Sequence, residues 1–232
     1  MLEWISNNSG PLTLIVQVLT ALVWIAYLQI FITSFRRQRK SNILINRVAG
    51  NRDRAHLLVG NMGAEPINVC AFMADLCFND GSEKRAIITE GLQDESDEED
   101  KGVKQTRQGP LKTAEYRDLG AMGRLLDRAL DEVGLPGRSD DVDTVTFTLA
   151  AEGSHDGYLV AGKQTFWVRR VDGDRAFLPQ ETNTIQIRKR KDRKALSKRL
   201  DQSLKDEAEQ ISNRATRAVK GAAEGARART SF

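Results

Sequence analysis

Few side chains in this sequence are of types that do chemistry, and their spacing limits what each could do. The histidines are His56, in the apolar run AHLLVGN, and His155, in the turn-like GSHDG. Neither has a second His or a Cys at the spacing of a zinc site. The cysteines, Cys70 and Cys77, stand seven apart within INVCAFMADLCF. On one continuous strand that odd spacing puts them on opposite faces. An intrastrand disulfide is then geometrically unworkable, and the pair reads as two buried, reduced thiols acting as small apolar groups. Reduced thiols suit a reducing compartment. Asp75, Asp80 and Glu83 could be grouped as a carboxylate site, but turns and strand ends hold such acids routinely. GNMG at 60–63 is a turn too short to cradle a phosphate. No Walker-type loop, dinucleotide fingerprint or nucleophile elbow occurs. The residue types therefore predict no catalytic site, no metal and no cofactor. What remains is a protein whose surfaces do the work, and the question becomes which elements carry those surfaces.

The charges are segregated. The formal net charge is +3. Residues 1–35 contain no Lys or Arg, whereas 36–40 carry Arg36, Arg37, Arg39 and Lys40. Residues 41–187 are net −8 and residues 188–232 net +8. An acidic middle thus lies between two basic segments. The stretch 12–35, LTLIVQVLTALVWIAYLQIFITSF, has no charge at all. Crossing a hydrocarbon core takes about 20 apolar residues in a helix. Thirteen of residues 12–32 are Leu, Ile, Val or Phe, enough to outweigh Gln17 and Gln29 on insertion. A cleaved secretory signal fits poorly: there is no basic n-region, the apolar core is long, and no small-x-small site follows. The reading is a single transmembrane α-helix. Cations at its carboxyl-terminal flank alone place the short 1–11 segment outside and everything after the 36–41 stop segment in the cytoplasm, at an inner or plasma membrane. Within the span, Thr13, Gln17, Thr20, Trp24 and Tyr27 fall on a heptad seam that continues through Phe31 and Ser34. That seam is a candidate contact face for a second copy or another membrane helix.

Residues 42–188 read as a β domain. Strand-like runs at 43–48, 55–61, 67–78, 85–90, 144–151, 155–162, 164–170 and 182–190 are separated by Gly, Asn and Asp clusters. In TVTFTLA, Val145, Phe147 and Leu149 alternate with threonines, the pattern of a half-buried strand. The expected fold class is mainly β: a cytosolic sandwich of immunoglobulin-like layout with one inserted amphipathic helix. That helix is predicted over 119–134, with Met122, Leu125, Leu126, Ala129, Leu130 and Val133 on one face and Gly134 at its end. Six of the seven residues 94–100 are acidic, so 91–110 reads as a solvated, mobile loop.

A basic helical tail, 189–232, completes the chain. It opens with Arg188, Lys189, Arg190 and Lys191, after which Leu196, Leu200 and Leu204 recur every fourth residue. Cations on an amphipathic helix suit an anionic inner leaflet, to which the anchor already confines the tail. Nucleic acid is disfavoured, because no stacking aromatics interleave with the cations. Membrane lipid, and a protein partner or a second copy, are therefore the expected partners. The functional reading is a non-enzymatic, membrane-anchored adaptor or accessory subunit of a membrane assembly. The alternative is a membrane-tethered ligand-sensing or hydrolytic β domain whose site is dispersed.

Overall fold

The computed structural model describes residues 9–38, 41–88, 108–153, 159–203 and 205. The chain divides into two compact units, Met1–Ser41 and Asn42–Phe232. In the first, helix α1 runs Ser9–Gln38. Its side chains over 13–35 are exposed on every side. Within it Thr13–Phe35, 23 residues, is apolar and long enough to cross a membrane. At 1.5 Å per residue that segment spans about 35 Å, against a hydrocarbon core of about 30 Å. An apolar helix with no buried face is not packed as the core helix of a folded domain would be.

The second unit is mainly β. Strands β1 (Ile43–Val48), β2 (His56–Asn61) and β6 (Tyr116–Ala121) form a three-stranded antiparallel sheet in the order β1-β2-β6. The larger antiparallel sheet has the order β10-β8-β7-β3-β4, from β10 (Ile185–Ile187), β8 (Val160–Val171), β7 (Val142–Gly153), β3 (Ile67–Phe78) and β4 (Glu83–Ile87). Strand β5 (Gly109–Leu111) adds to β3, and β9 (Asp174–Pro179) adds to β8. Strands β3 and β7 present apolar inner rows by alternation, and β8 adds Phe166 and Val168, its row continuing through the buried Gln164. Phe72 stacks on Phe147 at 5.5 Å between centroids, and Phe147 meets Phe166 at 6.1 Å. Ile43, Ile45, Leu57 and Val59 of the smaller sheet join the same buried cluster.

Helix α2, Met122–Glu132, contributes Met122, Leu125, Leu126, Ala129 and Leu130 to that core. It packs against β3, β4 and β6. Its end is set by Gly134 at φ +74°, where the Leu135 N–H bonds the Leu130 carbonyl and the Gly134 N–H bonds that of Asp131. That pairing satisfies two terminal carbonyls, and only a residue tolerant of positive φ closes it without strain.

Several expectations need correcting. The helix predicted over 119–134 starts at Met122, because Tyr116–Ala121 is β6. The runs 155–162 and 164–170 belong to one strand, β8, as far as they are described. Strands β5, β6 and β9 are not among the predicted runs, while the predicted tail helix is α3, which starts at 190 and is described to 203. The cysteines do not lie on opposite faces. A bulge in β3 between Val69 and Ala71 turns Cys70 outward with Ala71 and Met73, and alternation from Met73 brings Cys77 to that same outer face. Both thiols are free and partly exposed. The acidic tract lies outside the described residues apart from 108–110.

Candidate functional site

The potentially reactive groups are tied into structural pairs. Asp75 pairs with Arg85 on the neighbouring strand, and Asp80 accepts from the Ser82 hydroxyl (2.6 Å) and the Ser82 N–H (2.8 Å). The Ser82 hydroxyl, then its backbone N–H, hold the Asp80 carboxyl below the usual range. Glu83 lies opposite Cys77 in the β3–β4 register. These three acids therefore do not converge on a site. Among the described residues no cluster of three or more His, Cys, Asp or Glu could hold a metal ion.

His56 Nδ1 lies 2.6 Å from Asp118 Oδ2, and Asp118 Oδ1 accepts the Gly120 N–H at 2.8 Å. An oriented imidazole of this kind suits general acid–base work, but only beside a hydroxyl, a thiol or a bound substrate. Among the described residues no hydroxyl or thiol bonds the ring, and both partners are exposed. The pair fastens β2 to β6 where their register shifts. Sixty-two positions separate the two residues, so spacing gave no sign of it.

Arg175 is the most enclosed charged group among the described ion pairs, with its side chain 14% exposed. Its Nε donates to Asp53 Oδ1 at 2.6 Å, its Nη2 to Asp127 Oδ2 at 2.9 Å and its Nη1 to Asp127 Oδ1. Hydrogen bonds to Asp127 raise its pKa above the ordinary value; burial opposes them, and Asp53 adds to the rise. Gly123 leaves room for the clamp, since a Cβ there would lie 2.6 Å from Asp53 Oδ1. The triad joins the turn after β1, helix α2 and strand β9, and is architectural.

The surfaces are more informative. Thr13, Gln17, Thr20, Trp24 and Tyr27 are all exposed on α1. Trp24 and Tyr27 meet edge to face with centroids 6.2 Å apart. The Thr20 hydroxyl donates to the Val16 carbonyl at 2.8 Å, so it is satisfied inside its own helix. Gln17 has no hydrogen-bond partner among the described residues and is the polar group on this face that a second helix would satisfy best. Arg36 and Arg37 fall in the last turn of α1, and Arg39 and Lys40 lie outside the described residues.

In the tail, Arg188, Lys189, Arg190 and Lys191 are exposed. The leucine stripe behaves differently from the lipid-facing surface expected of it. Leu196 is 6% exposed and packs on Ala71, Met73, Ala150 and Ala161 of the larger sheet, with Leu200, Cys70, Ile87 and Ile187 at the margin. Arg193 Nε donates to the Leu159 carbonyl at 2.6 Å and fixes the same docking. Leu196 and Leu200 thus face the chain's own sheet; Leu204 lies outside the described residues. Covering an apolar outer row of alanines removes it from water, and the helix gains its apolar contact at the same time.

The start of the tail is also placed by the sheet. The outward N–H and C=O of Ile43 are bracketed by the Gln186 carboxamide at 3.0 and 2.6 Å. Those of Ile45 are bracketed by the Thr184 hydroxyl at 2.8 and 3.0 Å. Side chains from the last strand thereby replace a missing neighbour for β1. Gly162 allows the close approach, since a Cβ there would lie 3.1 Å from Ile43 Cβ. The sequence shows Ile185 and Ile187 alternating with polar residues; it does not show that those polar residues seal an edge. The seam brings the basic run 188–191 to the end of the unit where β1 begins. No protein-family model, curated protein sequence or solved structure matches the chain.

Proposed function

We propose that this protein is a single-pass membrane protein, amino terminus outside, whose β unit is a non-enzymatic interaction module on the cytoplasmic face: an adaptor or an accessory subunit of a membrane assembly. The observation that carries this reading is α1, whose 23-residue apolar segment is exposed all round and is followed directly by cations. Lipid is the environment in which such a surface is stable. The two antiparallel sheets sharing one core support a sandwich of immunoglobulin-like layout for the presented unit. An interaction role is supported by the engagement of Asp53, Asp75, Asp118, Asp127 and Asp143 with basic partners on neighbouring elements. The patterned face Gln17–Trp24–Tyr27 is the natural contact within the membrane, for a second copy or another spanning helix.

Reporter fusions at the carboxyl terminus test the topology. An alkaline phosphatase fusion should be inactive and a fluorescent protein bright; the reverse result overturns the orientation. Mild detergent extraction followed by size analysis tests the module role. The chain should elute as a complex, with itself or with another membrane protein, and Gln17→Leu with Trp24→Ala should weaken that complex. A strictly monomeric, partner-free chain overturns it.

A further inference from the structure

We infer that the β unit itself rests on an anionic bilayer, through an apolar patch of Leu44, Met62 and Tyr116 at the same end of the unit as the cations Arg188, Lys189 and Lys191. This contact rests on the membrane anchor proposed above and adds a second, reversible one. Leu44, Gly60 and Tyr116 occupy one row across the three strands of the smaller sheet. Gly60 has no side chain, and Met62 folds over it: a Cβ at Gly60 would lie 3.4 Å from Met62 Cε and 3.7 Å from Tyr116 Cβ. Met62 and Tyr116 therefore flank the bare Gly60 position, with Leu44 next in the row, and Leu44 is 37%, Met62 50% and Tyr116 70% exposed. An exposed apolar group of this kind marks a contact surface.

The tether identifies what covers it. The Met62 N–H donates to the Asn42 carbonyl at 2.7 Å, which fixes the patch at the amino-terminal end of β1. Four residues, and so five Cα–Cα steps, separate Gln38, the last residue of α1, from Ile43. They reach about 18 Å at full extension. With the anchor inserted, the bilayer surface is thus the nearest apolar phase, at high effective concentration. Tyrosine is one of the aromatic residues enriched at headgroup level.

The charge agrees. Gln186 is bonded to Ile43, so the run beginning at Arg188 starts at this same end, with its cations exposed. Each Lys or Arg held at an anionic surface raises partitioning roughly fivefold, so three raise it on the order of 100-fold. Glu115, next to Tyr116, spends a carboxylate oxygen on the Lys112 N–H at 2.7 Å. The tail leucines cannot supply this contact while Leu196 is packed on the larger sheet.

The test uses the full chain in nanodiscs, with Cys70 and Cys77 replaced by alanine and a polarity-sensitive fluorophore on Ala64→Cys, which leaves the patch intact. Asp172→Cys, in the β8–β9 turn, is the remote control. In discs containing about a third anionic lipid, a lipid-phase quencher should quench the label at 64 at least threefold more than the label at 172. Neutral lipid, the triple variant R188E/K189E/K191E, or the pair M62E/Y116E should each remove the difference. A label at 64 that aqueous iodide quenches equally in both lipids overturns the proposal. So does one shielded from both quenchers, which would assign the patch to a protein or a second copy. Carbonate extraction of the same sample separates the two ideas. A chain that leaves the membrane fails the anchor reading, while one that stays with an aqueous patch fails only this contact.

Discussion

Replacing Leu196 with aspartate should detach α3 from the larger sheet while leaving the sheet folded. Leu196 is 6% exposed over a floor of Ala71, Met73, Ala150 and Ala161. Fully burying a leucine contributes about 1.5–3 kcal/mol. A carboxylate cannot take its place without either losing its water or lifting the helix, and lifting costs less. Helix 190–203 has little stability of its own, because isolated helices of up to about 15 residues are marginal in water. Loss of about 2–3 kcal/mol therefore raises the undocked, unwound population roughly 30- to 150-fold, taking 1.4 kcal/mol as tenfold. Hydrogen exchange read by mass spectrometry measures this directly. Amides over 190–203 should exchange tens of times faster in L196D, and Leu196→Ala should fall between it and the parent. Amides of β7 should be unchanged, because its inner row belongs to the larger cluster, from which Leu196 is separate. Exchange over 190–203 within threefold of the parent, or equal acceleration in β7, would refute the reasoning.

Two further outcomes follow from particular contacts. Gly162→Ala places a Cβ about 3.0 Å from Thr184 Cγ2 and 3.1 Å from Ile43 Cβ and Cγ2, so β1 must move off β8. Overpacking of this kind costs about 1–3 kcal/mol, and a thermal melt should fall by roughly 3–10 °C; an unchanged midpoint would show that the seam gives freely. The Cys70 thiol is pushed above its ordinary value of 9.0, by burial first and then by Glu152. In a Cys77→Ala background it should therefore react with a thiolate-selective reagent at pH 8 more slowly than a free thiol of ordinary pKa. The folded state holds this proton more tightly than the unfolded state. The linked stability is thus fully present below 9.0 and is lost as the pH rises through the raised folded value. Reaction as fast as a free thiol's, or stability rising over that window, would count against the burial.

Legibility in the sequence followed the strength of the apolar pattern. Strand β3 was bounded at Ile67 and Phe78 and the inner row of β7 was read correctly, because runs of buried apolar residues bounded by turn residues leave few alternatives. Strands β6 (YRDLGA) and β9 (DRAFLP) carry charges and too few β-branched residues to advertise themselves; their partners hold them extended. The β3 bulge defeated the two-residue period and with it the placement of Cys70. The tail was legible as a helix but not in its direction, because periodicity reveals a stripe and cannot say what covers it. The groups of the proposed bilayer contact and of the β1 bracket were hardest to see. Leu44, Met62 and Tyr116 are each unremarkable in sequence, and they become one surface only through the register Leu44–Gly60–Tyr116. Gln186 and Thr184 acquired meaning only from their distance to Ile43 and Ile45.

The bracket on β1 has a mechanical consequence. A pull applied to the chain ahead of Asn42 and directed along β1 would enter the unit at Ile43. There β1 is gripped on one flank by the β2 ladder and on the other by four hydrogen bonds from Thr184 and Gln186. Bonds lying across the pulling direction are sheared together instead of unzipping one by one, so the first strand resists peeling. The same grip would pass such a load to Thr184 and Gln186, on the chain that leads into α3.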